Sequence, residues 1–192
     1  MQPTMTEAEV AELEWRLDDC ECYLEYGSGE STLQAALLGV PTMVTVESDY
    51  AWFRANVAAD KFVAEGMAAG RIIPFFPCFG PTKEWGFPAG DTHKHLWPAY
   101  PLYPLAGAMD DADLVLVDGR FRVACVLACL LTFDDECAIL VHDYKPRGYY
   151  HVVEKYANVL DQVDSMAVLG AKDGLDRFGA MEDLRRYQYD PR

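Results

Sequence analysis

The chain has 192 residues, 51% hydrophobic and 24% charged, which suits a single domain over residues 1–192 and excludes a disordered composition. Its 31 acidic against 16 basic side chains give a net charge of −15, a field that repels phosphate backbones and anionic lipid, so neither nucleic acid nor a membrane surface is expected as a partner. The N-terminus has no signal-peptide pattern and no apolar run approaches the ~20 residues a bilayer requires, so a cytoplasmic protein is expected.

In chain order, Thr6-x-x-Glu9 reads as a capping box opening a helix with Val10, Leu13 and Leu17 on one face. Residues 20–25 read as a strand, broken by Gly27-Ser28-Gly29, and Ser31-x-x-Gln34 caps a short helix through Leu38. A second strand runs over 42–46 and ends in Glu47; a helix over 50–59 and a third strand over 71–76 follow. After the next segment, 114–117 is a buried-type strand ending in Asp118, 121–131 an apolar helix, and 138–141 a strand ending in His142-Asp143. A helix over 149–159, a strand over 163–169 and a helix carrying Leu175, Phe178, Met181 and Leu184 complete the chain. Six cysteines (Cys20, Cys22, Cys78, Cys125, Cys129 and Cys137) form no CxxC pair, which predicts free thiols in a reducing compartment and no zinc site.

Short apolar strands alternating with helices predict an α/β fold, a doubly wound, mostly parallel sheet with helices on both faces. The ligand crevice of such a fold lies beyond the carboxyl ends of the strands. Glu25, Glu47, Asp118, His142 and Asp143 all fall at predicted strand ends. Residues 80–109 differ from their surroundings: they hold Trp85, Phe87, Trp97, Tyr100, Tyr103 and several prolines. A stretch that long and aromatic reads as a cap over a pocket, or as a loop packed on the core or on a second subunit of a homodimer.

The loop Glu25-Tyr26-Gly27-Ser28-Gly29 permits a tight turn and close approach of a ligand to the backbone. An acid at the strand end would repel a pyrophosphate but suits a cationic ligand, and S-adenosylmethionine carries a sulfonium and an ammonium. Glu47, 20 residues after Gly27, is placed to accept both hydroxyls of a ribose. Asp118 reads as a general base, a metal ligand or a helix cap; His142 has a side chain suited to proton transfer. Asp118 and Asp143 are weak candidates for a divalent metal. His93-Lys94-His95 reads as a solvated loop. Arg120 and Arg122 either neutralise an anionic acceptor or pair with surface carboxylates.

On the E-x-G-x-G loop at 25–29, the strand-end acid Glu47 and LVLVDG at 114–119, the chain resembles class I S-adenosylmethionine-dependent methyltransferases over about residues 20–145. The resemblance implies a Rossmann-like fold, S-adenosylmethionine as cofactor, and cofactor contacts at Glu25, Gly27, Ser28, Gly29, Ser31, Glu47 and Ser48. The acid or amide that the family often carries after the third strand for adenine is missing from 76–80, which leaves backbone groups and Phe79 for the base. The closing antiparallel strand pair of the family is only half legible here. VDGR at 117–120 and VHDY at 141–144 are similar to plant glucuronoxylan O-methyltransferases, which implies O-methylation of a small molecule or sugar-like acceptor, with Asp118 and His142 as the catalytic candidates. Two other readings stay open: a methyltransferase-like binding protein without turnover, and a dinucleotide- or nucleotide-sugar-binding enzyme.

Overall fold

The computed structural model describes residues 5–106, 109 and 111–192. Its sheet is built from β1 (Cys22–Tyr26), β2 (Thr42–Val46), β3 (Ile72–Phe75), β4 (Leu114–Val117), β5 (Ala138–Val141), β6 (Ala157–Val163) and β7 (Met166–Ala171). Their order is β3-β2-β1-β4-β5-β7-β6. The first five are mutually parallel, whereas β7 runs antiparallel to both β5 and β6. The chain leaves β1 toward β2 on one side and leaves β4 toward β5 on the other, so the switch point of the sheet lies between the carboxyl ends of β1 and β4.

Alternation along the strands divides the core in two. Tyr23, Leu114 and Leu116 face the side covered by α1 (Glu7–Asp18) and α2 (Glu30–Leu38), through Leu13, Leu17, Ala35 and Ala36. Leu24, Tyr26, Val115 and Val117 face the other side, where α6 (Arg122–Thr132) is buried over nearly its whole length. Each fully buried side chain of this size stabilises the fold by roughly 1.5–3 kcal/mol. Cys125 and Cys129 lie in that buried helix, and all six cysteines are free thiols.

β2, β4 and β5 match the sequence reading residue for residue, because continuous apolar runs bounded by polar residues leave no other register. The C-terminal third does not. The expected helix over 149–159 is a 3-10 helix, Gly148–Lys155, followed by strand β6, and the expected strand over 163–169 is β7, shifted to Met166–Ala171. β6 is an edge strand whose residues 158–162 are all exposed, so it lacks the alternation that marks a strand. It also carries an irregularity between Val159 and Asp161. The closing helix α7 (Arg177–Tyr187) buries Ala180 and Leu184 but leaves Phe178 76% exposed, so the expected Phe178/Met181 face is not the packed one. The expected helix over 50–59 stops earlier, as α3 (Tyr50–Asn56). Helix α4 (Lys61–Ala68), unassigned from sequence, starts at Asp60, whose carboxylate accepts from Phe62 N and Val63 N.

The aromatic insert divides in function. An antiparallel bridge between Thr82 and Pro88 closes a small hairpin around a 3-10 turn, Glu84–Gly86. Further on, α5 (Ala99–Leu102) delivers Tyr100 to the core beside Trp97, Phe79 and Phe121, and the Tyr26 hydroxyl donates to Pro101 O at 2.9 Å. Residues 107 and 108 of the expected insert lie outside the described residues. No helix among the described residues is long and apolar enough to cross a membrane.

Candidate functional site

A cavity of about 760 Å³ opens at the carboxyl ends of β1, β2 and β4. Its walls are residues 27–31, 47–49 and 118–120, with Val10 and Leu13 of α1 on one flank. The hairpin residues 82–86 form a roof, and Trp85, held at φ 62°, is 77% exposed there. Cavities of this size accommodate cofactor-sized ligands.

The floor depends on Gly27. Its φ of 99° lies where side chains are disfavoured, and its N–H donates to Val46 O at 2.9 Å. A Cβ there would stand 2.7 Å from Gly119 N and 2.9 Å from Gly119 Cα, so the β1 and β4 turns meet backbone to backbone. Gly29 differs: its backbone is extended, and nothing in the protein lies within 4 Å of where its Cβ would point. No protein atom requires glycine at 29, which leaves room for a ligand against that backbone.

Glu25 does not line the cavity. It is fully buried beneath the loop, where Oε1 accepts from Thr45 Oγ1 at 2.6 Å and from Thr32 Oγ1, and Oε2 accepts from Ser31 Oγ at 2.8 Å and Tyr23 Oη at 3.2 Å. Thr32 Oγ1 in turn accepts from Gly29 N at 2.8 Å, and Ser28 Oγ lies 2.6 Å from Thr45 Oγ1. One carboxylate thereby ties β1, β2, the glycine loop and the start of α2 together. Ser28 and Ser31 reach the cavity from this network.

Burial pushes the Glu25 carboxyl up to about 7 despite its four hydroxyl donors. The folded chain then holds a proton that the unfolded chain releases between pH 4.5 and 7, so this group's contribution falls as pH rises across that window. The span corresponds to about 3 kcal/mol. Glu25→Gln is expected to remove that slope: its melting temperature relative to wild type should climb from pH 5 to pH 7.5 and then level. Parallel melting curves across the range would refute the assignment.

Glu47, just past β2, is half-buried in the cavity wall. Oε1 accepts from Asp49 N at 2.8 Å and Ser48 Oγ at 3.1 Å, the Ser48 N–H adds a further pull on the carboxylate, and no hydrogen bond of ordinary geometry reaches Oε2 among the described residues. Burial raises its pKa against the pull of these bonds. A desolvated carboxylate oxygen without a donor is a place for ligand hydroxyls.

At the end of β4, Asp118 meets Arg122, four residues on, and His142 from the end of β5, which in turn faces Glu9. Oδ1 lies 2.9 Å from His142 Nδ1 and 3.0 Å from Arg122 Nη2, and His142 Nε2 is 3.5 Å from Oε2 of Glu9 in α1. Glu9 is itself fixed by the N–H and hydroxyl of Ser165 at 2.9 and 2.7 Å and by Thr6 N at 2.8 Å. Burial opposes charge on His142, but the Asp118 hydrogen bond and the Asp118, Asp143 and Glu9 charges outweigh it and raise its pKa. Burial likewise works against Asp118, whose carboxyl is nevertheless held below the ordinary range by His142, Arg122 and Arg120. The imidazole of His142 thus stands between two carboxylates.

Of the residues singled out from sequence, Gly27, Ser28, Gly29, Ser31, Glu47, Ser48 and Asp118 converge on the cavity. His142 stands behind Asp118 rather than in the wall. Asp143 turns to Arg147 at 2.6 Å. Phe79 is 1% exposed and sits edge-on between Tyr100 and Phe121 in the core, so it offers no face to a base. Asp118 and Asp143 share Arg122, whose guanidinium contacts them at 3.0 and 3.8 Å. Among the described residues no three His, Cys, Asp or Glu side chains form a metal-binding group. Sequence reading missed Glu9, which shows locally only as the third residue of a capping box, and Trp52 and Thr82, which line the cavity without any motif.

No protein-family model and no curated protein matches the chain. Among solved structures, it is similar to a methyltransferase-like protein from Silicibacter pomeroyi DSS-3, with 32% identity and a TM-score of 0.85 over 99% of this chain and 98% of that one. The C-terminal domain of precorrin-6Y C5,15-methyltransferase from Rhodobacter capsulatus shares the fold at 11% identity, with a TM-score of 0.50 over 89% of this chain and 92% of that domain. With this sheet order, the crevice at its switch point and a full-length relative at that identity, the chain belongs to the class I S-adenosylmethionine-dependent methyltransferase family.

Proposed function

We propose that the chain binds S-adenosylmethionine in the 760 Å³ cavity and methylates an oxygen of a small-molecule or sugar-like acceptor. The observation that carries this reading is the pairing of an open glycine backbone at Gly29 with a donorless carboxylate oxygen on Glu47, on two walls of one cavity. Gly27 and Gly29 give the amino acid part of the ligand close approach to the backbone, Ser28 and Ser31 offer hydroxyls, and Glu47 accepts from the ribose. The loop 82–86 excludes water from above. Bound there, S-adenosylmethionine supplies a methyl group on a sulfonium, a centre already reactive, so the protein's work is chiefly positioning and desolvation.

Asp118 receives the proton of an acceptor hydroxyl. Its low pKa keeps it ionised, and a hydroxyl oxygen becomes strongly acidic as it forms its bond to carbon, so a weak base suffices late in the transfer. His142, between Glu9 and Asp118, is a positioning residue that orients Asp118. A second reading, ligand binding without turnover, is favoured by one observation: Arg122 and His142 both claim the same Asp118 oxygen, which lowers its basicity.

Glu47→Ala tests the reading. Isothermal titration is expected to show micromolar S-adenosylhomocysteine binding to wild type and at least a tenfold loss in the variant, the loss of hydrogen bonds from two hydroxyls to a charged acceptor. Equal affinity in the two proteins would remove the ribose from Glu47.

A further inference from the structure

Arg120 and Arg122 are separated by one residue and both are buried, yet they have opposite surroundings. Arg122 gives hydrogen bonds to Gly119 O, Asp118 O and His142 O and pairs with two carboxylates. The Arg120 side chain is 8% exposed and has no acceptor among the described residues; its Nε is fully enclosed without a hydrogen-bond partner. Only the ring of Phe87 supports it, 4.3 Å beneath the guanidinium. In a chain this acidic that is conspicuous: among the described residues no carboxylate lies within ion-pair distance of Arg120. Burial and the neighbouring Arg122 charge hold its pKa below arginine's ordinary value, outweighing the opposite pull of Tyr100, Tyr150 and the more distant Asp118 carboxylate. Arg120 lines the cavity between Asp118 and the roof, where Lys83 adds a second positive charge.

We infer that the acceptor carries an anionic oxygen group, a carboxylate or a phosphate, and that Arg120 is the residue that binds it. This rests on the methyltransferase reading of the cavity. A planar fork of N–H donors without acceptors matches such a group in a way a neutral sugar hydroxyl does not. Stacking on Phe87 fixes the plane of the fork before the ligand arrives. The anion anchors the acceptor on the Asp118 side of the cavity, and the hydroxyl to be methylated is presented to Asp118.

The test titrates the full chain, with and without saturating S-adenosylhomocysteine, against benzoate, its neutral counterpart benzamide, and inorganic phosphate. Wild type is expected to bind benzoate or phosphate measurably more tightly than benzamide; the stronger of the two anions identifies the group. Arg120→Gln is expected to lose about tenfold in anion affinity while its S-adenosylhomocysteine affinity stays within threefold. Arg120→Lys keeps the charge without the fork and should weaken anion binding less; it replaces the glutamine variant if that one does not fold. Anion binding unchanged in the variants, or no preference over benzamide, overturns the proposal. A parallel loss of S-adenosylhomocysteine affinity also overturns it, by assigning Arg120 to the cofactor's own carboxylate. Failure of S-adenosylhomocysteine to bind wild type sinks the underlying reading instead, and the ligand-free titrations still decide whether Arg120 is an anion site.

Discussion

Replacing Gly27 by alanine is expected to destabilise the chain by roughly 2–4 kcal/mol and to abolish adenosyl-ligand binding. Two effects coincide at this position. The φ of 99° is strained for any side chain, and the new Cβ would press on backbone atoms of Gly119 at 2.7 and 2.9 Å, which have no rotamer to move into. Relief would require parting the β1 and β4 turns, and these are the two walls between which the ligand lies. Gly29→Ala is the matched control. Its backbone is extended and its Cβ would meet no protein atom within 4 Å, so folding stability should stay within about 0.5 kcal/mol of wild type. If a ligand backs onto Gly29, that variant should still bind it poorly. Urea unfolding of both variants separates the cases; a Gly27→Ala variant as stable as wild type would mean that the turn is not built as described.

Asp118→Asn is expected to have the second large effect. It leaves the Arg122 guanidinium and the His142 ring facing a neutral amide that can no longer balance a positive charge. Removing one partner from a buried ion pair costs about 3–5 kcal/mol; with a quarter of the Asp118 side chain exposed, roughly 2–3 kcal/mol is the expectation here. The second readout is specific. His142 loses the largest influence raising its pKa, so NMR titration of its imidazole should show a clear downward shift. An unshifted His142 would break the Glu9–His142–Asp118 chain. Methyl transfer should fall with Asp118→Asn while S-adenosylhomocysteine still binds, if Asp118 serves the acceptor as proposed.

The parallel half of the sheet was legible because its strands are buried on both faces and stop at polar residues. Thr42–Val46 and Leu114–Val117 admit one register, and Glu47 and Asp118 follow directly. β6 was illegible for the opposite reason: an edge strand with exposed residues 158–162 has no buried face to impose a period. The site was legible as a set of strand ends but not as a set of roles. Glu25 carries the family's acidic signature, yet its carboxylate turns inward to four hydroxyls instead of out to a ligand. Glu9 reaches Ser165 across 156 residues of chain, a contact that no local pattern encodes. Arg120 and Arg122 look alike in sequence; only the left-handed turn at Phe121, which starts α6, sends one into the carboxylate cluster and the other under the roof. The insert was conspicuous by composition, but aromatic residues serve equally in a roof and in a core, and here they do both.

The ligand that fills the cavity distinguishes an adenosyl-binding site from a dinucleotide site. Titration of the unmodified chain with S-adenosylhomocysteine and, separately, with NAD decides it. The predicted result is one-to-one micromolar binding of S-adenosylhomocysteine and no heat with NAD. Binding of NAD in place of the adenosyl ligand, or of neither, would contradict it.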